Sequence, residues 1–160
     1  MQLCDAINSC ISTKLTGWDM VKYVNRLVNK QMRYSVEIPF VSYKRAFCIG
    51  KGYCVQQAFC VREILRELGY NVHVVYCRKA LFKDTGTVSR HAWCRVCIDN
   101  KEKDVCTCNS DNYPGKTNFT PISKVKEYGG LIAVAGYLGS IPVCYKRLFR
   151  GKIKNKNREF

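Results

Sequence analysis

The segment Gly50-Lys51-Gly52-Tyr53-Cys54 runs straight into Val55-Gln56-Gln57-Ala58-Phe59 and places a cysteine at the predicted start of a helix. Unpaired N–H groups and the positive dipole end of a helix favour thiolate over thiol, and flanking glycines admit another chain close to the sulfur. Thirty-seven residues on, His91-Ala92-Trp93 lies on a strand-like run that turns at Asp99-Asn100-Lys101 and returns through Lys103-Asp104-Val105-Cys106-Thr107. Cysteine, histidine and aspartate in that order suggest a nucleophile, its base and a residue that orients the base.

The elements that must position these groups read as follows. Asp5 to Ser12 predicts a short helix, and Trp18 to Lys30 a longer one with Met20, Val21, Val24, Leu27 and Val28 at helical spacing. Residues 33–46 read as an irregular segment on the approach to Cys54. A central core helix is expected from about Tyr53 to Leu68, with Gly69 past its end. Asn71 to Cys77 suits a buried strand, Lys79 to Ser89 a polar connection, and Arg90 to Ile98 with Lys103 to Cys108 a hairpin. Asn109 to Thr120 reads as an ordered loop or lid, and Ser123 to Tyr128 as a short helix.

These motif words resemble the transglutaminase-like superfamily of papain-type thiol enzymes, in its small single-domain microbial form. Its Gly-x-Cys segment reads Gly52-Tyr53-Cys54 here, its His-x-Trp-x-x-Val reads His91-Ala92-Trp93-Cys94-Arg95-Val96, and its Asp-Pro/Val-Cys/Thr reads Asp104-Val105-Cys106-Thr107. The resemblance covers about Trp18 to Val125. It implies an α+β fold in which the helix carrying the cysteine packs on a small antiparallel sheet carrying histidine and aspartate. It also implies Cys54 as nucleophile, His91 as base, Asp104 as orienter, and no metal or other cofactor. Where the family often has an acidic residue, this chain has Arg95, so its groove is expected to prefer a different charge.

The spacing of thirteen from His91 to Asp104 is short for the family. A regular hairpin turning at Asn100 would put Asn109 or Ser110 across from His91, whereas a bulge or tighter turn would restore Asp104. Asn109 and Asp99 therefore stay open as orienters. His73, in Val72-His73-Val74-Val75, reads as a half-buried strand residue rather than the base. Gln56 and Gln57 sit where they could aid an oxyanion, with the backbone N–H of Cys54 the safer donor. Tyr53 and Trp93 are expected to wall the cleft. The Cys-x-x-Cys spacing of Cys94 and Cys97, with Cys106 and Cys108 nearby, invites a zinc reading. In a regular strand Cys94 and Cys97 point to opposite faces, so packing thiols are the default.

With 160 residues, residues 1–150 are expected to form one domain, followed by a basic mobile tail at 151–160. The net charge of +15, concentrated near the end in Lys146, Arg147, Arg150, Lys152, Lys154, Lys156 and Arg158, implies weak binding to polyanions. Eleven cysteines is an odd number, and no secretion signal or membrane-spanning run is visible, so a reducing cytoplasm is the expected location. The substrate class is a peptide, protein or other amide, processed by hydrolysis or by acyl transfer. Two other readings stand beside the enzyme: a silent member of the fold that binds a peptide or partner, and a basic nucleic-acid-binding protein that lacks the usual motifs.

Overall fold

The computed structural model describes residues 1–36 and 41–129. Of these, Met1–Tyr128 form one compact unit. The expected tail at 151–160 lies outside the described residues.

Three helices lead to the site: α1 (Leu3–Ser12), α2 (Gly17–Gln31) and α3 (Tyr43–Ile49). The periodicity of α1 and α2 predicts them to within a few residues. The short α3 replaces part of the stretch expected to be irregular. Ser42 starts it by accepting a hydrogen bond from the Arg45 amide, and Gly50 ends it in the left-handed region at φ 76°. Two-residue strands β1 (Arg33–Tyr34) and β2 (Lys51–Gly52) then pair in parallel and fix the loop before α4 (Cys54–Glu67). A Cβ at Gly52 would stand 2.6 Å from Met32 Cε and 3.0 Å from Gln56 Oε1. Glycine is therefore required by close packing under the turn that presents Cys54.

The sheet has the order β5-β4-β3-β6, with β7 also paired to β3, and every pair is antiparallel. Its members are β3 (Asn71–Phe82), β4 (Val88–Ile98), β5 (Lys101–Val105), β6 (Phe119–Pro121) and β7 (Lys126–Glu127). Much of the expected polar connection at 79–89 is strand, because the β3–β4 pairing resumes past an irregularity between Cys77 and Ala80 and continues to Leu81. The short helix expected at Ser123 to Tyr128 is absent; Lys126 and Glu127 pair with Tyr76 and Val75 instead.

Helix α4 packs on β3 and β4, with the other three helices against it. Alternation along the strands divides the apolar residues between two faces. Val72, Val74, Cys94, Val96 and Val105 join the core with α4, while Val75, Cys77, Trp93, Cys106 and Phe119 form a second cluster. The architecture is the expected α+β arrangement of a central cysteine-bearing helix on an antiparallel sheet. Among the described residues no helix is long and apolar enough to cross a membrane.

Candidate active site

Cys54 is the first residue of α4 and is partly exposed. The turn before it is held by Gln56, whose Oε1 accepts the Tyr53 amide at 3.1 Å and whose Nε2 donates to the Val41 carbonyl at 2.6 Å. Gln57 is 1% exposed; its Nε2 donates to the Met32 carbonyl at 3.0 Å, and its Oε1 accepts from Thr107 Oγ1 at 3.1 Å. Both amides proposed as oxyanion donors are thus engaged by the scaffold. The Cys54 backbone N–H opens α4, where the helix supplies no internal acceptor, and is the donor that the helix start offers.

His91 lies on β4 and is 3% exposed. Its Nε2 is 3.2 Å from Cys106 Sγ, and the nearby Cys54 thiol acts on the ring electrostatically. Trp93 stacks beside it with ring centroids 5.9 Å apart at 18°, and Phe119 meets it edge-on at 4.5 Å. The imidazole is therefore fixed by an apolar packing of rings. Trp93, at 1% exposure, is a buried floor of the site rather than an open wall, whereas Tyr53 is partly exposed at its rim. Cys54, Trp93, Cys106, Thr107 and Cys108 line one narrow crevice.

The structure does not bring Asp104 to His91. Asp99 and Asn100 take left-handed backbone conformations, with φ 48° and 59°, and make a two-residue turn between β4 and β5. Ile98 then pairs with Lys101 and the register stays regular, setting Arg95 opposite Asp104. Arg95 Nε donates to Asp104 Oδ1 at 2.9 Å, and Nη2 to Oδ2 at 3.4 Å. No bulge restores the carboxylate to the histidine. Asn109 is also elsewhere, its Oδ1 accepting the Asp111 amide at 2.8 Å, and Asp99 is spent on the turn. His73 is exposed and lies between Glu127 Oε1, at 2.9 Å, and Asn71 Oδ1, at 3.0 Å.

The residue beside the histidine is one that sequence reasoning did not assign. Cys106 lies two positions beyond Asp104 on the same strand face, which places it next to Trp93 and His91. The signal was in the turn: a two-residue loop at Asp99-Asn100 puts position 108 across from His91 and position 106 diagonal to it. The segment that follows is tied to α2, with Asn29 Nδ2 donating to the Thr107 carbonyl and Asn25 Nδ2 to the Asn112 carbonyl at 3.1 Å. It is an ordered loop pinned at both places.

Electrostatics polarise this cluster. Burial opposes protonation of His91, but its hydrogen bond with Cys106 and the nearby Cys54 thiol outweigh that and raise its pKa to about 9. Cys106 is pulled below the ordinary thiol range, chiefly because Cys108 donates to it, against the effect of burial and with further help from His91. Cys108, as the donor of that bond and buried, is pushed up. The arrangement pairs the His91 ring with the Cys106 sulfur through Nε2. Cys94 takes no part: its Sγ donates to the Ala58 carbonyl at 3.0 Å on the face covered by α4.

A cysteine opening a central helix, against a histidine on an antiparallel sheet, is the arrangement of the papain-like thiol enzymes. Residues 4–102 match the family model of the transglutaminase-like superfamily, and the chain belongs to that superfamily. No curated protein matches it. Among solved structures it is similar to a TGase, with TM-score 0.51 and 19% identity over 69% of this chain and 31% of that one. A candidate cysteine protease from Cytophaga hutchinsonii aligns with TM-score 0.56 and 10% identity over 79% of this chain and 49% of its own. LapG from Legionella pneumophila aligns with TM-score 0.53 and 14% identity over 91% of this chain and 84% of its own. The chain thus spans about a third and about half of the first two relatives, and these likenesses speak to the fold.

Proposed function

We propose that this protein is a thiol enzyme acting on amide bonds, with Cys54 as nucleophile, His91 as base and Cys106 in the orienting position. The observation that carries the reading is one buried imidazole held at Nε2 by Cys106, whose side chain shares a crevice with Cys54. With Nε2 committed to Cys106, Nδ1 is the ring atom left to exchange a proton with Cys54. The Cys54 sulfur attacks an amide carbonyl while the Cys54 backbone N–H stabilises the oxyanion. His91 then gives the proton to the leaving amine, and the resulting thioester is resolved by water or by a second amine.

Peptidase or amidase action is the preferred direction, with acyl transfer to an amine as the alternative. The chain's basic charge favours acidic substrates or surfaces. Brief treatment with iodoacetamide at mildly acid pH followed by mass mapping tests the nucleophile. Cys54 is expected to label fastest, and His91→Ala to slow it. Equal labelling of several other thiols, unaffected by His91→Ala, would overturn the assignment. Peptide libraries read for free acid against hydroxamate, with hydroxylamine present, then separate hydrolysis from transfer.

A further inference from the structure

One sulfur is enough to orient His91, yet the site holds two. The side-chain ligand atoms of His91, Cys106 and Cys108 all lie within 4.8 Å of one another. His91 and Cys106 are buried and Cys108 is partly so. Cys106 and Cys108 are two residues apart just past the end of β5, with their sulfurs brought together beside His91. Cys108 Sγ approaches Gln57 Oε1 at 3.5 Å, and the Cys108 amide donates to Cys106 Sγ at 3.5 Å. Gln57 is itself locked by Met32 and Thr107, and the Thr107 carbonyl is tied to α2 through Asn29. The donors are thus mounted on a rigid shell rather than on a free loop.

We propose that His91 Nε2, Cys106 Sγ and Cys108 Sγ form a binding site for a soft d10 metal ion, with zinc(II) as the ion of choice. In tetrahedral zinc sites Zn–S is about 2.3 Å and Zn–N about 2.0 Å, so the donor atoms stand about 3.5–3.8 Å apart. The 3.2 Å between Nε2 and Cys106 Sγ and the 4.8 Å span of the trio bracket that spacing. One imidazole and two thiols exclude calcium and magnesium, which need oxygen donors, and select zinc or copper(I). Loading removes the two thiol protons to solvent, forms two Zn–S bonds and one Zn–N bond, and confines the remaining imidazole proton to Nδ1, so the ring cannot take the Cys54 proton while the ion is bound. Three protein ligands leave a fourth position for water or an external thiol, which is the pattern of an exchangeable rather than a closed site. Cys94 stays outside this donor set, as the packing-thiol reading expects, because it faces α4. The inference needs no catalytic role for Cys54, so its failure and that of the thiol-enzyme reading are separable.

Cobalt(II) titration of the reduced protein gives the test. Wild type should take up one equivalent with a thiolate-to-cobalt charge-transfer band and the visible bands of tetrahedral coordination, both displaced by zinc. Cys106→Ser, Cys108→Ser and His91→Ala should each weaken or abolish those bands while keeping the far-ultraviolet circular dichroism of wild type, and Cys54→Ala should retain them. X-ray absorption of zinc-loaded wild type, which needs no variant to fold, should show two sulfur ligands and a histidine nitrogen. Absence of the bands in fully reduced wild type, undiminished bands in folded Cys108→Ser, or a sulfur-only zinc shell would each overturn the site.

Discussion

His91 Nε2 stands 3.2 Å from Cys106 Sγ, so the ring's buried hydrogen-bonding neighbour is a thiol. Asp104, the carboxylate the motif suggested, is turned to Arg95 at 2.9 Å. The two contacts predict opposite mutational outcomes. Cys106→Ala should slow Cys54 labelling by about 10²-fold, the lower end of what a positioned acid–base group contributes. Cys106→Asp should recover part of that loss by supplying another acceptor to Nε2. Asp104→Asn should change labelling less than about twofold and stability by about 1 kcal/mol or less, as for other partly exposed ion pairs. Iodoacetamide kinetics on the four proteins decide it, and a reversed ranking would return the carboxylate to the site.

Gly52→Ala is expected to destabilise by roughly 1–3 kcal/mol, the range for overpacking a filled interior. The added methyl meets Met32 Cε at 2.6 Å and Gln56 Oε1 at 3.0 Å. Met32 is 1% exposed, so its end has no solvent to retreat into. Because Gln56 also holds the Tyr53 amide, the same change should disturb the turn under Cys54 and slow its labelling. Urea melts of the two proteins give the first effect and labelling the second.

The cysteine and histidine were legible because each sits beside a strong local signal. Gly52 with the apolar stripe of α4 marks one, and the strand run through Trp93 marks the other. The third member was not legible from motif words, since Asp104-Val105-Cys106 offers a carboxylate where the family has one. Only the register decides, and the register depends on whether the turn is centred at Asn100 or between Asp99 and Asn100. A shift of one or two positions changes which side chain meets the histidine. Helix α3 was missed for a different reason: seven residues that bury Ala46 and Phe47 carry too short a period to read, and tertiary packing supplies their stability. Strand β7, two residues long, has no sequence signature and exists through its pairing with Val75 and Tyr76.

Gln57 fastens α4 to two separate segments, the Met32 carbonyl before the site and Thr107 after it. Gln57→Leu keeps the volume but leaves a buried carbonyl and a buried hydroxyl without this partner, at about 1–3 kcal/mol each. The melting temperature should fall clearly. The more telling readout is local: hydrogen exchange at Thr107 and Cys108 should quicken more than exchange in α1, because the clamp holds the strand end that carries Cys106. Uniform acceleration throughout the fold would show instead that Gln57 contributes only global stability.

Stability should also decline on the alkaline side for a reason rooted in the core. Cys10 and Cys60 are both fully buried, and desolvation raises them from 9.0 to about 11 and about 12 respectively, with Glu63 adding to the effect on Cys60. Cys60 is further committed to donating a hydrogen bond to the Tyr43 carbonyl at 3.5 Å. Below pH 9 these thiols are protonated in both the folded and the unfolded chain, so they contribute no pH dependence. Above it the unfolded chain loses their protons while the folded chain keeps them. The unfolded state therefore binds fewer protons, and stability falls with rising pH until the folded thiols ionise near 11 and 12. Urea midpoints measured between pH 8 and pH 11 under reducing conditions should decrease over that window. Cys60→Ala should flatten part of the slope even though the cavity it leaves lowers stability at pH 8. An unchanged slope in that variant would mean that groups other than the α4 thiol set the alkaline limit.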